Sequence, residues 1–375
     1  MIQNERNKRK IIPVASGKGG VGKSVFSANL ALRLAAAGAE TVVIDLDLGG
    51  SNLHTYLGLR NTRVGIGNML SSSGKKLADF VHDTGREHLR YVPGDVLVSG
   101  MTRLSASQRT RIVDGIESLK ADYVILDLGS GTNELVIDTF LISNSGIVVS
   151  TPQAPSALNA YALLKNVLFY RLKSEFASSK KIASYLKSVQ KERRPGSTPG
   201  IDDIIAGIKK IDSRSATRAK KKLAELKPLL VSNMVNTSED YQMLVSLRKL
   251  ISENLGIDPA SLGAISSDPT CQQALAALQP ITEFAPTCAA SYQIDRIAQK
   301  ILQSERFPDM PLDLESYSDS YELTRIEMED DEQQFGPGGG DYTSEYIEVI
   351  AKQKQEIEQL KRTLRMVSAG TGGEQ

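Results

Sequence analysis

Residues 17–24 read Gly-Lys-Gly-Gly-Val-Gly-Lys-Ser, and no other stretch of the chain narrows the choice of fold so far. The spacing is that of a phosphate loop, G-x-x-x-x-G-K-[ST]. An apolar run at residues 11–15 precedes it and reads as a strand. Residues 24–37 come next, with Ala28, Ala31, Leu32 and Ala35 at helical spacing, ended by Gly38. Strand, glycine loop and helix in that order are what phosphate binding needs. Glycines allow backbone N–H groups to converge on phosphate oxygens, and the positive end of the helix points at the same place. In such a loop Lys23 bridges the β- and γ-phosphates, and the Ser24 hydroxyl meets Mg²⁺. Gly17, Lys18, Gly19, Gly20, Val21, Gly22, Lys23, Ser24 and the adjoining Val25 therefore form the expected cradle, with ATP and Mg²⁺ as its ligands.

The remaining pattern continues the same architecture. Short apolar runs at 41–44, 89–93, 123–126, 146–151, 229–233 and 262–265 alternate with helical segments. That alternation predicts βαβ units and a doubly wound, mostly parallel α/β sheet covered on both faces. Acids gather where the strands end, the side on which such sheets place ligands. Asp45 and Asp47 end the run at 41–44, and Asp127 ends the run at 123–126. Carboxylates at strand tips can hold a metal ion or orient water, or they can simply cap the next turn.

Lys18 adds something that phosphate cradling does not require. With it the loop resembles the deviant Walker A ATPases of the MinD/ParA family, whose motif is K-G-G-x-G-K-[ST]. In that family this lysine reaches a partner's ATP across a dimer, so the resemblance implies an ATP-dependent homodimer with Lys18 and Lys23 both catalytic. The family's first switch, D-x-D-x-x-x-x-N, matches Asp45, Asp47 and Asn52. By resemblance Asp47 activates the hydrolytic water, Asp45 joins Ser24 and Asp127 around the metal, and Asn52 adjoins the nucleotide. The second switch, D-x-x-x-G, matches Asp127 to Gly131, with Gly129 where a proline is usual. Gly131 would then meet the γ-phosphate. Asn233 falls at the strand end where the family has its adenine-contacting residue, although Asn236 stands nearby. The resemblance covers residues 10–304 apart from 171–228, and the stretch 45–58 is more similar to the MinD and FlhG branch than to ParA partition proteins.

Three regions lie outside that pattern. Residues 171–228 carry sixteen Lys/Arg against six Asp/Glu and read as a helical insertion. Such a surface suits a polyanion, either nonspecific DNA or anionic lipid. Residues 305–340 are acidic and rich in glycine and proline, and composition reads them as a disordered linker. Residues 341–367 return to a helical pattern with Ile350, Ile357 and Leu364 seven apart, a candidate coiled coil for a protein partner. Residues 1–304 are thus the expected ATPase domain.

Composition excludes several classes. Lys+Arg of 45 against Asp+Glu of 44 gives no overall charge bias. Two cysteines, Cys271 and Cys288, seventeen positions apart, offer no CxxC pair for zinc or an iron–sulfur cluster. No apolar run is long enough to cross a membrane, so the expected location is cytoplasmic or peripheral to membrane or nucleoid. Two further readings compete with a positioning switch of slow turnover. One is a ParA-type partition ATPase on DNA. The other is a bacterial tyrosine kinase using Tyr317, Tyr321, Tyr342 and Tyr346, against which Lys18 argues.

Overall fold

The computed structural model describes residues 9–60, 64–94, 104–191, 200–304 and 319–336. Eight strands form one sheet: β1 (Lys10–Ser16), β2 (Thr41–Leu46), β3 (His82–Asp83), β4 (Leu89–Val92), β5 (Tyr123–Ser130), β6 (Ile147–Ser150), β7 (Leu229–Val235) and β8 (Ala260–Ser266). Their order is β3-β4-β2-β5-β1-β6-β7-β8. Every pairing is parallel except β3 with β4. The expected parallel sheet is present. The two-residue antiparallel β3 at its edge was not read from the sequence, because two residues carry no periodicity.

Strand composition explains the layering. Residues of β1, β2, β5 and β7 are buried almost throughout, as strands covered on both faces must be. One face packs against α1 (Lys23–Ala36) and a C-terminal helix, through Phe26, Leu30, Leu34, Ile294 and Ile297. The other face packs against α2 (Ala154–Glu175), through Leu163, Leu164, Val167 and Leu168.

The basic segment is helical, as expected, but it belongs to the core. It contains α3 (Lys180–Lys191), α4 (Ile201–Ile211) and α5 (Ser213–Ala224). Ile182, Leu186 and Val189 on α3, Ile201, Ile204, Ile205 and Ile208 on α4, and Ala219 and Leu223 on α5 join the same apolar cluster as α2. Their i, i+3, i+4, i+7 spacing turns one face inward and leaves lysines outside. Lys180, Lys181, Lys187, Lys209, Lys220 and Lys221 are exposed. The acids of this segment are partly used at home: Glu225 pairs with Arg171 at 3.0 Å and with Lys222 at 2.7 Å.

Further along, α6 (Tyr241–Leu255) packs beside α2, and α7 (Ala289–Gln303) lies against β8 and α1. The segment read as a disordered linker contains α8 (Ser320–Phe335). This corrects the linker expectation for residues 320–335. Residues 305–318 and 337–340 of the expected linker, and the whole of the helix expected at 341–367, lie outside the described residues. The chain divides into a unit of residues 1–328 and a second of 329–375. Within the first unit, the start of α8 is pinned beside the edge strand β8. Ser320 Oγ accepts the Ser261 N–H at 3.0 Å, and Tyr321 Oη donates to the Pro259 carbonyl at 2.8 Å. Arg248 stacks over the Tyr321 ring and bonds Asp319 at 2.6 Å. Glu327 pairs with Lys300 at 2.7 Å, and Met328 packs on Val235 and Ala264. Composition misread this segment because its acids hide a short run, Tyr321, Thr324 and Met328, spaced for one helical face.

Candidate functional site

The loop of residues 17–22 leaves the C-terminal end of β1, in the middle of the sheet, and runs into α1. Gly20 and Gly22 hold φ of +80° and +83°, a region that other residues enter only with strain. Gly17 is needed for space: a Cβ there would stand 2.1 Å from the Asn159 carbonyl group of α2. Ser16 Oγ donates to the Lys18 carbonyl at 3.0 Å, and the Gly131 N–H donates to the Ser16 carbonyl at 3.1 Å. The expected γ-phosphate donor, Gly131, thus ties the end of β5 to the start of the loop.

The two lysines of the loop sit in opposite environments. Lys18 is exposed, as are Gly19 and Gly20. Lys23, the first residue of α1, is 7% exposed, and its Nζ lies 2.8 Å from Asp127 Oδ1. Ser24 Oγ is 3.2 Å from the same ammonium, and Ser27 Oγ donates to Asp127 Oδ1 at 2.9 Å. The second carboxylate oxygen, Asp127 Oδ2, is buried with no protein partner. A buried, unpartnered carboxylate oxygen beside a serine hydroxyl fits a divalent cation or its bound water. Ser24, Lys23 and Asp127 thus stand together at the start of α1. Val25 is half-buried in the first turn of α1.

Asp45 lies in register with Asp127 across the β2–β5 pairing. It is fully buried, and burial together with the Asp127 charge pushes its carboxyl up to about 7. Three donors pull the other way. Ser51 Oγ donates to Oδ2 at 2.6 Å, the Leu53 N–H to Oδ2 at 3.1 Å and the Asp47 N–H to Oδ1 at 3.1 Å. Asp45 therefore shapes the segment after it, from Asp47 to the short helix Leu53–Tyr56. For Asp45 this is the turn-capping alternative that the sequence left open, with Ser51 added. Asp47 is half-buried, and its carboxyl is raised mainly by burial. A Cβ on Gly129 would sit 3.4 Å from Asp47 Oδ1, so the glycine that replaces the family's proline lies directly under this carboxylate. Asn52 is exposed and precedes the short helix without capping it through its side chain.

Asn233 is buried at the end of β7, and its Nδ2 donates to the Val21 carbonyl at 2.8 Å. The side chain expected at the base is thus bonded to the phosphate loop itself. Asn236, the alternative, donates its N–H to Asp240 Oδ2 at 2.8 Å on the exposed side. Ser27 and Ser51 are the site residues that sequence reading missed, since a serine in a helix or loop carries no signature.

Comparisons with known proteins agree with this geometry. Residues 7–170 match the ParA family, described as NUBPL iron-transfer P-loop NTPase. The flagellum site-determining protein YlxH of Helicobacter pylori is 31% identical over 173 residues, covering 43% of this chain and 55% of that protein. The antiactivator FleN of Pseudomonas aeruginosa is 31% identical over 169 residues, covering 42% and 55%. The chain thus spans about half the length of the curated relatives it matches. The septum site-determining protein MinD of Pyrococcus horikoshii, solved with Mg-ADP, superposes with a TM-score of 0.52 at 18% identity over 79% of this chain and 97% of that one. That likeness shows the fold. Phosphate loop, acidic strand ends and matched segment make residues 7–170 similar to the ParA family of P-loop NTPases, on a fold shared with MinD.

Proposed function

We propose that the chain is an ATP-dependent dimerising switch that positions or regulates a cellular structure, with slow hydrolysis completed by a partner. The observation that carries this reading is the pair of lysines in one loop. Lys23 is committed inward to Asp127, while Lys18 is exposed on the same loop and open to a second copy. Lys18 would neutralise charge on the partner's γ-phosphate, as an arginine finger does. Mg²⁺ would sit by Ser24 and the unpartnered Asp127 Oδ2, with Asp45 holding the first switch around it. Asp47 would orient the attacking water, Gly131 and Asn52 would adjoin the phosphates, and Asn233 the base. YlxH and FleN are named for flagellar site determination and antiactivation, which supports a positioning role here.

The exposed lysines of α3, α4 and α5 support an anionic surface, DNA or lipid, as the peripheral anchor. Residues 341–367 remain the proposed site for a protein partner. A tyrosine-kinase role has less support, because Tyr321 is buried with its hydroxyl bonded. An iron–sulfur role has less support as well, because Cys271 and Cys288 are the chain's only thiols and form no CxxC pair. The test is ATP turnover by Asp47→Ala and Lys18→Ala. Both should bind ATP and lose hydrolysis; unchanged turnover in both would remove the reading.

A further inference from the structure

We infer that Asn233 is a positioning residue of the phosphate loop, acting on the phosphates through the Val21 carbonyl, and this rests on the ATP-binding reading above. The loop must turn its N–H groups toward the ligand, so its carbonyls need partners elsewhere. The Val21 carbonyl has one: Asn233 Nδ2 at 2.8 Å, from the buried end of β7. The Val21 carbonyl and the Gly22 N–H belong to one planar trans peptide, so they point in opposite directions. Holding the carbonyl at Asn233 therefore aims the Gly22 N–H away from β7, into the turn that precedes Lys23.

The fit around this bond is tight. A Cβ on Gly22 would fall 2.1 Å from Asn233 Nδ2 and 3.6 Å from Met234 Cε, so the amide packs directly against the loop's turn. Met234 itself holds a φ of +60°, and the β7–β8 register shifts between Asn233 and Val235. The strand end is deformed at the place where it meets the loop. On the other side of the same turn, Val21 is buried in the core beside Phe26 and Leu53, and Lys23 is held by Asp127. The Gly22 peptide is thus clamped from β7, from the core and from β5. A base bound beside Asn233 and the phosphates held by the loop would share one side chain.

The test uses the full chain with Mg²⁺ and two ligands, ATP and inorganic tripolyphosphate, which has no base. Affinities are measured by calorimetry or by displacement of a fluorescent ATP analogue. Asn233→Ala removes the donor and leaves the buried Val21 carbonyl unpaired, and Asn233→Asp places a carboxylate oxygen against it in the same volume. Tripolyphosphate should weaken about tenfold or more and ATP by at least the same factor, with the aspartate the worse of the two. Loss of ATP affinity with tripolyphosphate binding unchanged would overturn the inference and leave Asn233 as a base contact only. If both variants fail to fold, the wild-type side-chain amide resonances of Asn233 decide it. They should shift on tripolyphosphate addition, and unmoved resonances contradict the coupling. A wild type that binds neither ligand defeats the ATP-binding reading itself; one that binds ATP and not tripolyphosphate defeats only this inference.

Discussion

Replacing Lys23 by methionine in the nucleotide-free protein should expose how the site is held together. Lys23 and Asp127 are 7% and 1% exposed and lie 2.8 Å apart. Without the ammonium, Asp127 keeps only the Ser27 hydroxyl at 2.9 Å, and it faces Asp45 across the neighbouring strand. Removing one partner of a buried pair leaves an uncompensated charge, which costs about 3–5 kcal/mol. For a domain of roughly 300 residues that is a fall in Tm of about 5–8 °C, since entropy of unfolding scales with length. Adding Asp127→Asn to Lys23→Met removes the stranded charge and should recover most of that loss. The assay is urea unfolding in EDTA without nucleotide, read as a double-mutant cycle. A cost below about 1 kcal/mol for Lys23→Met, or a double variant less stable than the single, would refute the reasoning.

The geometry also predicts three further outcomes. Glu327→Ala removes the ion pair that ties α8 to Lys300 at 2.7 Å, so proteases should cut within residues 319–328 at least several-fold faster than in the wild type; equal rates would contradict the docked α8. Asp45, raised from 3.8 to about 7, holds its proton more tightly when folded, so its contribution to stability is present at low pH and is lost as pH rises from about 4 to 7. Urea midpoints of the metal-free protein at pH 5 and pH 8 should therefore differ less in Asp45→Asn than in the wild type, and an equal difference would count against the raised carboxyl. Replacing Lys180, Lys181, Lys220 and Lys221 by glutamine should weaken DNA binding and reduce its salt slope, by up to ~0.9 for each phosphate no longer neutralised, with ATP turnover unchanged; an unaltered slope would place any anionic partner elsewhere.

Much of this was readable in the sequence, for physical reasons. The phosphate loop announces itself because only glycine satisfies the geometry at Gly17, Gly20 and Gly22, and only an ammonium and a hydroxyl serve the phosphates and the metal at Lys23 and Ser24. Buried parallel strands read as plain apolar runs, so seven of the eight strands were marked. What escaped was tertiary. A sequence does not show that Ser51 and the Leu53 N–H will close on Asp45. Nothing in the neighbours of Asn233 says that Val21, more than two hundred residues away, lies beside it. The start of α8 was taken for linker because its acids dominate the composition, whereas Tyr321, Thr324 and Met328 decide its packing.

Sedimentation of the Asp47→Ala chain with and without Mg·ATP tests the central claim most directly. The variant should bind ATP without turning it over, so ATP should shift it from monomer to dimer, and adding Lys18→Ala should abolish the shift. A chain that stays monomeric with ATP bound, or that dimerises equally well without Lys18, would contradict the account.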